Sequence, residues 1–254
     1  MGCFGQLGNQ MTQFAVLLAI AKKNGYDFGI PYATRSPLAK KHLALPDGFI
    51  NLTAKDCSNV NQRYEFEEHE ANYWEYDPRV MEVKDQTNLL GYFQVERYIL
   101  NVRDQLLLEF RSRGGVKQKV GNYLAGIRKL NKPIVFLHVR RGDALTNKLM
   151  VFPGKEYFKQ AILQFPDSMF IVLTDDRRWC EDNLPPMQNW LFSPFLDKFE
   201  DLELMQQTDA GIIHNSTFSW WGAWLGDLNR KIVAPKRWNA KGKCEIYHNS
   251  WILL

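Results

Sequence analysis

The stretch Ile134-Val135-Phe136-Leu137-His138-Val139-Arg140-Arg141-Gly142-Asp143 opens as an almost unbroken apolar run and ends in two arginines, a glycine and a carboxylate. A short continuous apolar run predicts a strand buried on both faces, as in a parallel sheet covered by helices. The same rhythm extends outward. Apolar runs at Met169 to Leu173, Gly211 to Ile213 and Lys231 to Ala234 alternate with amphipathic segments around Lys155 to Leu163, Arg177 to Leu184 and Leu202 to Gln207, and an aromatic segment follows from Phe218 to Leu225. This alternation predicts an α/β domain from about residue 130 onward.

In open α/β sheets ligands bind beyond the carboxyl ends of the strands. Three of these ends are polar: His138 to Asp143, then Thr174-Asp175-Asp176, then His214-Asn215-Ser216-Thr217. Taken singly, Asp176 and Ser216 read equally well as helix N-caps, and Arg140 and Arg141 as partners in surface ion pairs. Converging on one sheet edge, they predict a site. Guanidinium groups form forked bonds to phosphate, and the helical segment that Asn215, Ser216 and Thr217 begin presents free amides to an anion, so the residue types fit a nucleotide diphosphate. Asp175 suits the donor edge of a guanine ring, and His138 a base or ribose.

The first half has a different texture. Met11, Phe14, Ala15, Leu18 and Ala21 predict a helix with one buried face that stops at Asn24-Gly25. Before it, Gly5-Gln6-Leu7-Gly8-Asn9-Gln10 forms a glycine-flanked turn whose Asn9 and Gln10 amides can bond to hydroxyls. A Glu-rich patch at Glu65, Glu67, Glu68 and Glu70 reads as a solvated loop or helix face, and a helix carrying Leu100 to Phe110 is expected to stop at Gly114-Gly115. Trp220, Trp221 and Trp224 read as core aromatics in preference to a stacking platform. The change of texture divides the chain into residues 1–130 and 131–254.

The chain has 254 residues, 45% hydrophobic and 24% charged, with a net charge of +4, the proportions of a globular protein and not of a disordered or fibrous one. Basic residues are mixed with acids throughout, so no polybasic tail points to duplex nucleic acid. The aromatics and arginines leave one rival of another class, a noncatalytic binder of single-stranded nucleic acid or polyanions. Cys3, Cys57, Cys180 and Cys244 lie far apart without a Cys-x-x-Cys pair, which predicts free thiols in a reducing compartment. The apolar run Phe14 to Ala21 is too short for a membrane span, so a cytoplasmic protein is expected, with peripheral membrane association left open. No Gly-x-Gly-x-x-Gly occurs, and Gly121 to Gly126 is followed by Ile127 where a phosphate-binding loop has Lys. No Asp-x-Asp or His-Glu-x-x-His occurs either, so no metal ligand set is predicted.

In chain order, Gly5 to Gln10, Gly91-Tyr92-Phe93-Gln94, His138 to Asp143, Thr174-Asp175-Asp176 with Trp179-Cys180, Asn215 to Leu225 and the closing Trp251-Ile252 resemble glycosyltransferase family 11, the α-1,2-fucosyltransferases. The His-x-Arg-Arg core is similar to that of α-1,6- and protein O-fucosyltransferases as well, and the Ser-Trp-Trp segment favours α-1,2. The resemblance implies a GT-B-like fold of two Rossmann-like lobes with a cleft between them: an acceptor-side lobe in 1–130 and a GDP-fucose-binding lobe in 131–254. With only Met1 to Phe4 before the glycine turn, the first lobe is expected to be trimmed or to start upstream.

It further implies an inverting, metal-independent transfer of fucose from GDP-fucose to a galactose-terminated glycan, without a cofactor. Arg140 would bind the β-phosphate as the catalytic cation, His138 and Asp175 the guanosine, and Ser216, Thr217 and Phe218 the diphosphate. Asn9 would lie near the fucose, with Gln10 and Arg141 completing the donor contacts, and Asp143 is the candidate general base. Transfer in another linkage, transfer to a protein and a catalytically dead relative are the alternatives.

Overall fold

The computed structural model describes residues 5–30, 44–57, 62–70, 73–142, 145–146, 148–242 and 244–254. The candidate base Asp143 and Cys3 lie outside the described residues. The chain forms two compact units, Met1–Arg113 with Lys243–Tyr247, and Gly114–Gly242 with His248–Leu254.

The N-terminal unit is built on α1 (Leu7–Asn24). Gly25 ends it in the left-handed conformation (φ 72°, ψ 30°), with its N–H donating to the Ala21 carbonyl, and Lys22 and Lys23 in the last turn favour the negative helix end. The expected single buried face is corrected by the structure. Gln10, Thr12 and Gln13 are buried together with Met11, Phe14 and Ala15, so α1 is enclosed nearly all round. Its polar side chains find bonds there, as Thr12 Oγ1 does on the Gly8 carbonyl at 3.1 Å. Around it lie β1 (Gly29–Ile30), α2 (Leu45–Gly48), β2 (Lys55–Asp56), β3 (Tyr64–Glu67), β4 (Thr87–Leu90) and α3 (Arg103–Glu109). β1 pairs with β2 and β3 with β4, both parallel. Phe14 packs 5.4 Å from Phe110, which packs 5.0 Å from Phe49.

In the C-terminal unit the elements are α4 (Val116–Arg128), β5 (Ile134–Val139), α5 (Gly154–Leu163), β6 (Met169–Thr174), α6 (Arg177–Asn183), β7 (Trp190–Phe192), α7 (Lys198–Gln207), β8 (Ala210–Ile212), α8 (Thr217–Trp224), β9 (Ile232–Ala234) and β10 (Ile252–Leu253). The six strands form one parallel sheet in the order β10-β9-β8-β5-β6-β7. β5 is buried at all six positions, as its sequence requires. On one face Val135, Leu137 and Val139 pack with Tyr157, Phe158 and Ala161 of α5. α4 packs on α7, so the compact C-terminal unit begins at Gly114, earlier than the change of sequence texture. Gly115 starts α4 in the left-handed region; Gly114-Gly115 thus opens a helix, and the preceding one already ends at Glu109.

From β5 the chain winds outward through β6 and β7, then returns to the other side through β8, β9 and β10. This is the classical doubly wound order, and its switch point falls between β5 and β8. Arg230 locks the helices behind the sheet. Its Nη1 donates to the Met205 and Thr208 carbonyls at 2.6 and 2.9 Å, and its Nη2 to those of Gly222 and Ala223 at 2.8 and 3.0 Å, so one guanidinium satisfies the carboxyl ends of α7 and α8. Burial pulls it down to about 10. Trp220, Trp221 and Trp224 are core residues, with Trp251 ringed against Trp220 at 6.0 Å. Among the described residues no helix is long and apolar enough to cross a membrane, and Cys57, Cys180 and Cys244 are free thiols.

Candidate active site

The switch point gathers the polar strand ends. His138, the fifth residue of β5, is 6% exposed, and its ring meets that of Phe218 edge-on at 5.8 Å. Burial holds its pKa well below the usual histidine value, reinforced by His214 and Arg140 nearby, so it is a neutral imidazole. Its Nδ1 has no hydrogen-bond partner among the described residues.

Arg140 follows β5 and pairs through Nη1 with Asp175 Oδ2 at 2.7 Å. The other carboxylate oxygen, Oδ1, accepts the backbone N–H of Arg141 at 2.8 Å. A Cβ at Gly142 would lie 2.7 Å from Asp175 Oδ2, so only glycine lets this turn close on the carboxylate. Both oxygens of Asp175 are thereby engaged in aligning Arg140 and its turn. The expected guanine contact would have to share them.

Arg141 is held separately. Its Nε donates to Asp176 Oδ2 at 3.0 Å, and its guanidinium lies over the rings of Trp179 at 4.6 Å and Phe152 at 5.0 Å. Asp176 caps α6 by accepting the Trp179 N–H at 3.0 Å; that bond first, and the Arg141 bond second, hold its carboxyl below the usual range.

β8 leads into His214, which stacks on Phe158 at 6.1 Å and 15°. Burial pushes it down to about 3. The Asn215 amide donates to the carbonyls of Val151, Arg237 and Trp238, tying two loops to the strand end. Asn215, one of the polar residues read at this strand end, thus serves there as a brace. Ser216 then adopts extended geometry (φ −143°, ψ 122°) at the N-cap of α8, with its side chain making no capping bond. Ser216, Thr217 and Phe218 are half-buried, and the first amides of α8 start beside the end of β5.

At the ends of β6 and β7 a cavity of about 230 Å³ is lined by Thr174, Arg177, Phe192, Ser193, Phe195 and Asp201. Arg177 lies over Phe192 at 5.0 Å, and Ser193 Oγ donates to Asp201 Oδ1 at 2.6 Å. Burial raises Asp201 to about 6.

The remaining predicted residues belong to the N-terminal unit. Asn9 Oδ1 accepts from Gln94 Nε2 at 3.1 Å, and Gln94 Oε1 accepts the Trp74 indole N–H at 3.0 Å. This joins the Gly5 to Gln10 and Gly91 to Gln94 motifs. Gln10 is 2% exposed; it donates to the Gly5 carbonyl at 3.3 Å and accepts the Ala44 N–H at 2.8 Å, which places it under the turn as a brace. Glu68 corrects the reading of its patch. Glu65, Glu67 and Glu70 are exposed, but Glu68 is buried against Gly91. Its only sequence signal is position, one residue past a short strand. Among the described residues no three His, Cys, Asp or Glu side chains come together as a metal site.

The family model for glycosyl transferase family 11 matches residues 2–254. The O-antigen biosynthesis glycosyltransferase WbnK of Escherichia coli is 33% identical over 202 residues, covering 73% of this chain and 67% of that protein. Galactoside alpha-(1,2)-fucosyltransferase 2 of Oryctolagus cuniculus is 27% identical over 245 residues, covering 89% of this chain and 66% of that protein. The chain thus spans about two thirds of the length of these relatives. Among solved structures, the NodZ alpha-1,6-fucosyltransferase soaked with GDP-fucose aligns with a TM-score of 0.55 at 13% identity, over 87% of this chain and 89% of that one. NodZ from Bradyrhizobium aligns with a TM-score of 0.54 at 12% identity, over 86% and 89%. The α/β expectation holds, and the fold is that of the GT-B fucosyltransferases. The full six-stranded sheet belongs to the C-terminal unit; the described residues of the N-terminal unit carry two parallel strand pairs.

Proposed function

The chain belongs to glycosyl transferase family 11, and from that premise we propose that it transfers fucose from GDP-fucose to the 2-hydroxyl of a galactose-terminated glycan, inverting the anomeric centre without a metal ion. A relative named for galactoside α-1,2 transfer supports the linkage, and a solved fold relative soaked with GDP-fucose supports the donor. One observation carries the reading: Arg140 and the opening amides of α8 stand at neighbouring strand ends on the two sides of the switch point.

As the acceptor oxygen attacks the fucose carbon from the face opposite the diphosphate, the bond to the β-phosphate oxygen breaks and negative charge collects there. Arg140 meets that charge, with Ser216, Thr217 and Phe218 at the diphosphate and His138 at the guanosine. Asp175 keeps the guanidinium aligned, so little reorganisation is needed when the charge develops. Arg141, braced by Asp176 and two rings, fixes the turn. The cavity past Thr174 offers ring faces and a carboxylate to the base.

Arg140→Ala should lower turnover by roughly a hundredfold or more, the cost of removing one preorganised donor. Transfer is followed with GDP-fucose and lactose, and folding by circular dichroism. A folded variant with full activity would end the assignment. A chelator should leave wild-type transfer unchanged, and linkage analysis should give α-1,2; inhibition by chelator, or an α-1,6 or protein-linked product, would overturn that part of the proposal.

A further inference from the structure

The C-terminal unit carries a group of cations that the donor contacts leave unused. Residues 144–154 contain Lys148 and no acidic residue, and residues 232–242 contain Lys236, Arg237 and Lys241 and no acidic residue. Far apart in sequence, the two stretches are joined in the fold. The Ala240 N–H donates to the Leu149 carbonyl at 3.0 Å, and Met150 bridges Asn239 in antiparallel fashion. The Asn215 amide ties both to itself through the carbonyls of Val151, Arg237 and Trp238. Asn215 stands one residue ahead of Ser216, the N-cap of α8. The joined loops therefore border the switch point, within a single compact unit.

Lys148, Lys236, Arg237 and Lys241 are all exposed. The chain has 32 basic and 28 acidic residues, so these four equal its whole excess of positive charge. Other cations of the unit are matched: Lys119 by Glu200, Arg128 by Asp209, Lys132 by Asp167 and Arg178 by Asp182. Among the described residues Lys148, Lys236 and Arg237 have no carboxylate side chain in ion-pair contact. Arg237 Nη2 donates to the Ala240 carbonyl at 3.1 Å, and the Lys236 N–H donates to Leu254 O at 2.6 Å. Like charges gathered in this way repel one another, and an arriving anion relieves that repulsion.

We propose that these four side chains form a cationic collar that draws the donor's diphosphate toward Arg140 and the start of α8. The collar rests on the fucosyl-transfer reading for the identity of the nucleotide. A field of one sign beside a low-dielectric edge raises the association rate of an opposite charge by roughly ten- to a thousandfold. Such a field reaches over the Debye length, about 10 Å in 0.1 M salt and about 3 Å in 1 M salt. Exposed charges therefore lose their pull in strong salt, whereas Arg140, partly buried against Asp175, keeps more of its own.

The combined variant Lys148→Gln, Lys236→Gln and Arg237→Gln removes three of these charges at exposed positions, so its melting temperature should match wild type. Titration calorimetry with GDP in about 20 mM salt should show Kd raised roughly tenfold, and in 1 M salt the two proteins should agree within about twofold. Guanosine lacks the diphosphate, and its Kd should be the same in both proteins at both salt concentrations. With GDP-fucose and lactose in low salt, the donor KM should rise while kcat holds. A variant that binds GDP like wild type in low salt overturns the proposal. So does an equal loss of affinity for guanosine, which would mean a damaged site and not a lost field. A wild-type affinity for GDP that is flat across the same salt range refutes the collar as well. Should the combined variant fail to fold, Lys148→Gln and Arg237→Gln decide singly. Each should raise the low-salt Kd for GDP by roughly threefold and lose that effect in 1 M salt; no rise in either refutes the collar. Wild-type protein with no affinity for GDP at all defeats the donor reading first, and the collar with it.

Discussion

In the C-terminal unit each charged strand-end residue is held by its neighbour on the next strand end, Arg140 by Asp175 and Arg141 by Asp176. In the N-terminal unit polar side chains are instead held by backbone from distant segments: Glu68 by Tyr92 and Phe93, Glu109 by Thr53, Gln10 by Ala44. The first arrangement comes with the sheet, since parallel pairing of β5 with β6 brings the four residues together. The second depends on single contacts among strands of two to four residues. Few ladder bonds back it up, so the N-terminal unit should open locally at lower cost.

The strongest way to break this contrast is Arg230→Ala. It strands four or more buried carbonyls at the ends of α7 and α8, and should cost about 3 kcal/mol or more. In a thermal melt that is a fall of roughly 6 to 12 °C. A loss below about 1 kcal/mol would mean that the C-terminal unit does not depend on its clamp. Gly142→Ala tests the strand-end pairing itself. Its methyl meets Asp175 Oδ2, so turnover should drop by about tenfold with the melting temperature nearly unchanged. Equal turnover would show that Asp175 need not hold its place.

Gln10→Ala should be smaller in overall stability, about 1 to 2 kcal/mol. Hydrogen exchange should then quicken in the N-terminal unit before the C-terminal sheet. Uniform quickening would erase the contrast.

The two units also differ in how their stability responds to pH, with opposite signs. His138 and His214 are held neutral by burial, so below about 6.5 the unfolded chain takes protons that the folded one refuses, and stability falls as pH drops. Asp201, raised to about 6, opposes this in part within the same unit. Glu68 works the other way: its folded pKa of about 7 exceeds the ordinary 4.5, so its region firms as pH falls from about 7 toward 4.5. Region-resolved exchange at the two ends of that window should show slopes of opposite sign, and His214→Phe should flatten the one in the C-terminal unit.

The same contrast explains what could be read from the chain. β5, β6, β8 and β9 were legible because burial on both faces writes an apolar run into the sequence. β7 and β10 were not, since three half-buried residues and two edge residues carry no pattern. In α4, Gly121 and Gly126 mask a real helix. At the site, His138, Arg140 and Arg141 stood out through their position at a strand end. That Asp175 would turn to Arg140, or that one glutamate of four would be buried, depends on Gly142 and Gly91 passing close by, which is a tertiary event.

The tryptophans have a practical consequence. Trp74 alone lies in the N-terminal unit, and the other seven of the eight, four of them in the cluster of Trp220, Trp221, Trp224 and Trp251, lie in the C-terminal unit. Intrinsic fluorescence therefore reports almost entirely on the sheet-bearing half. Paired with circular dichroism in one heating scan, it gives a spectroscopic means of watching one half of the molecule melt while the other is still folded.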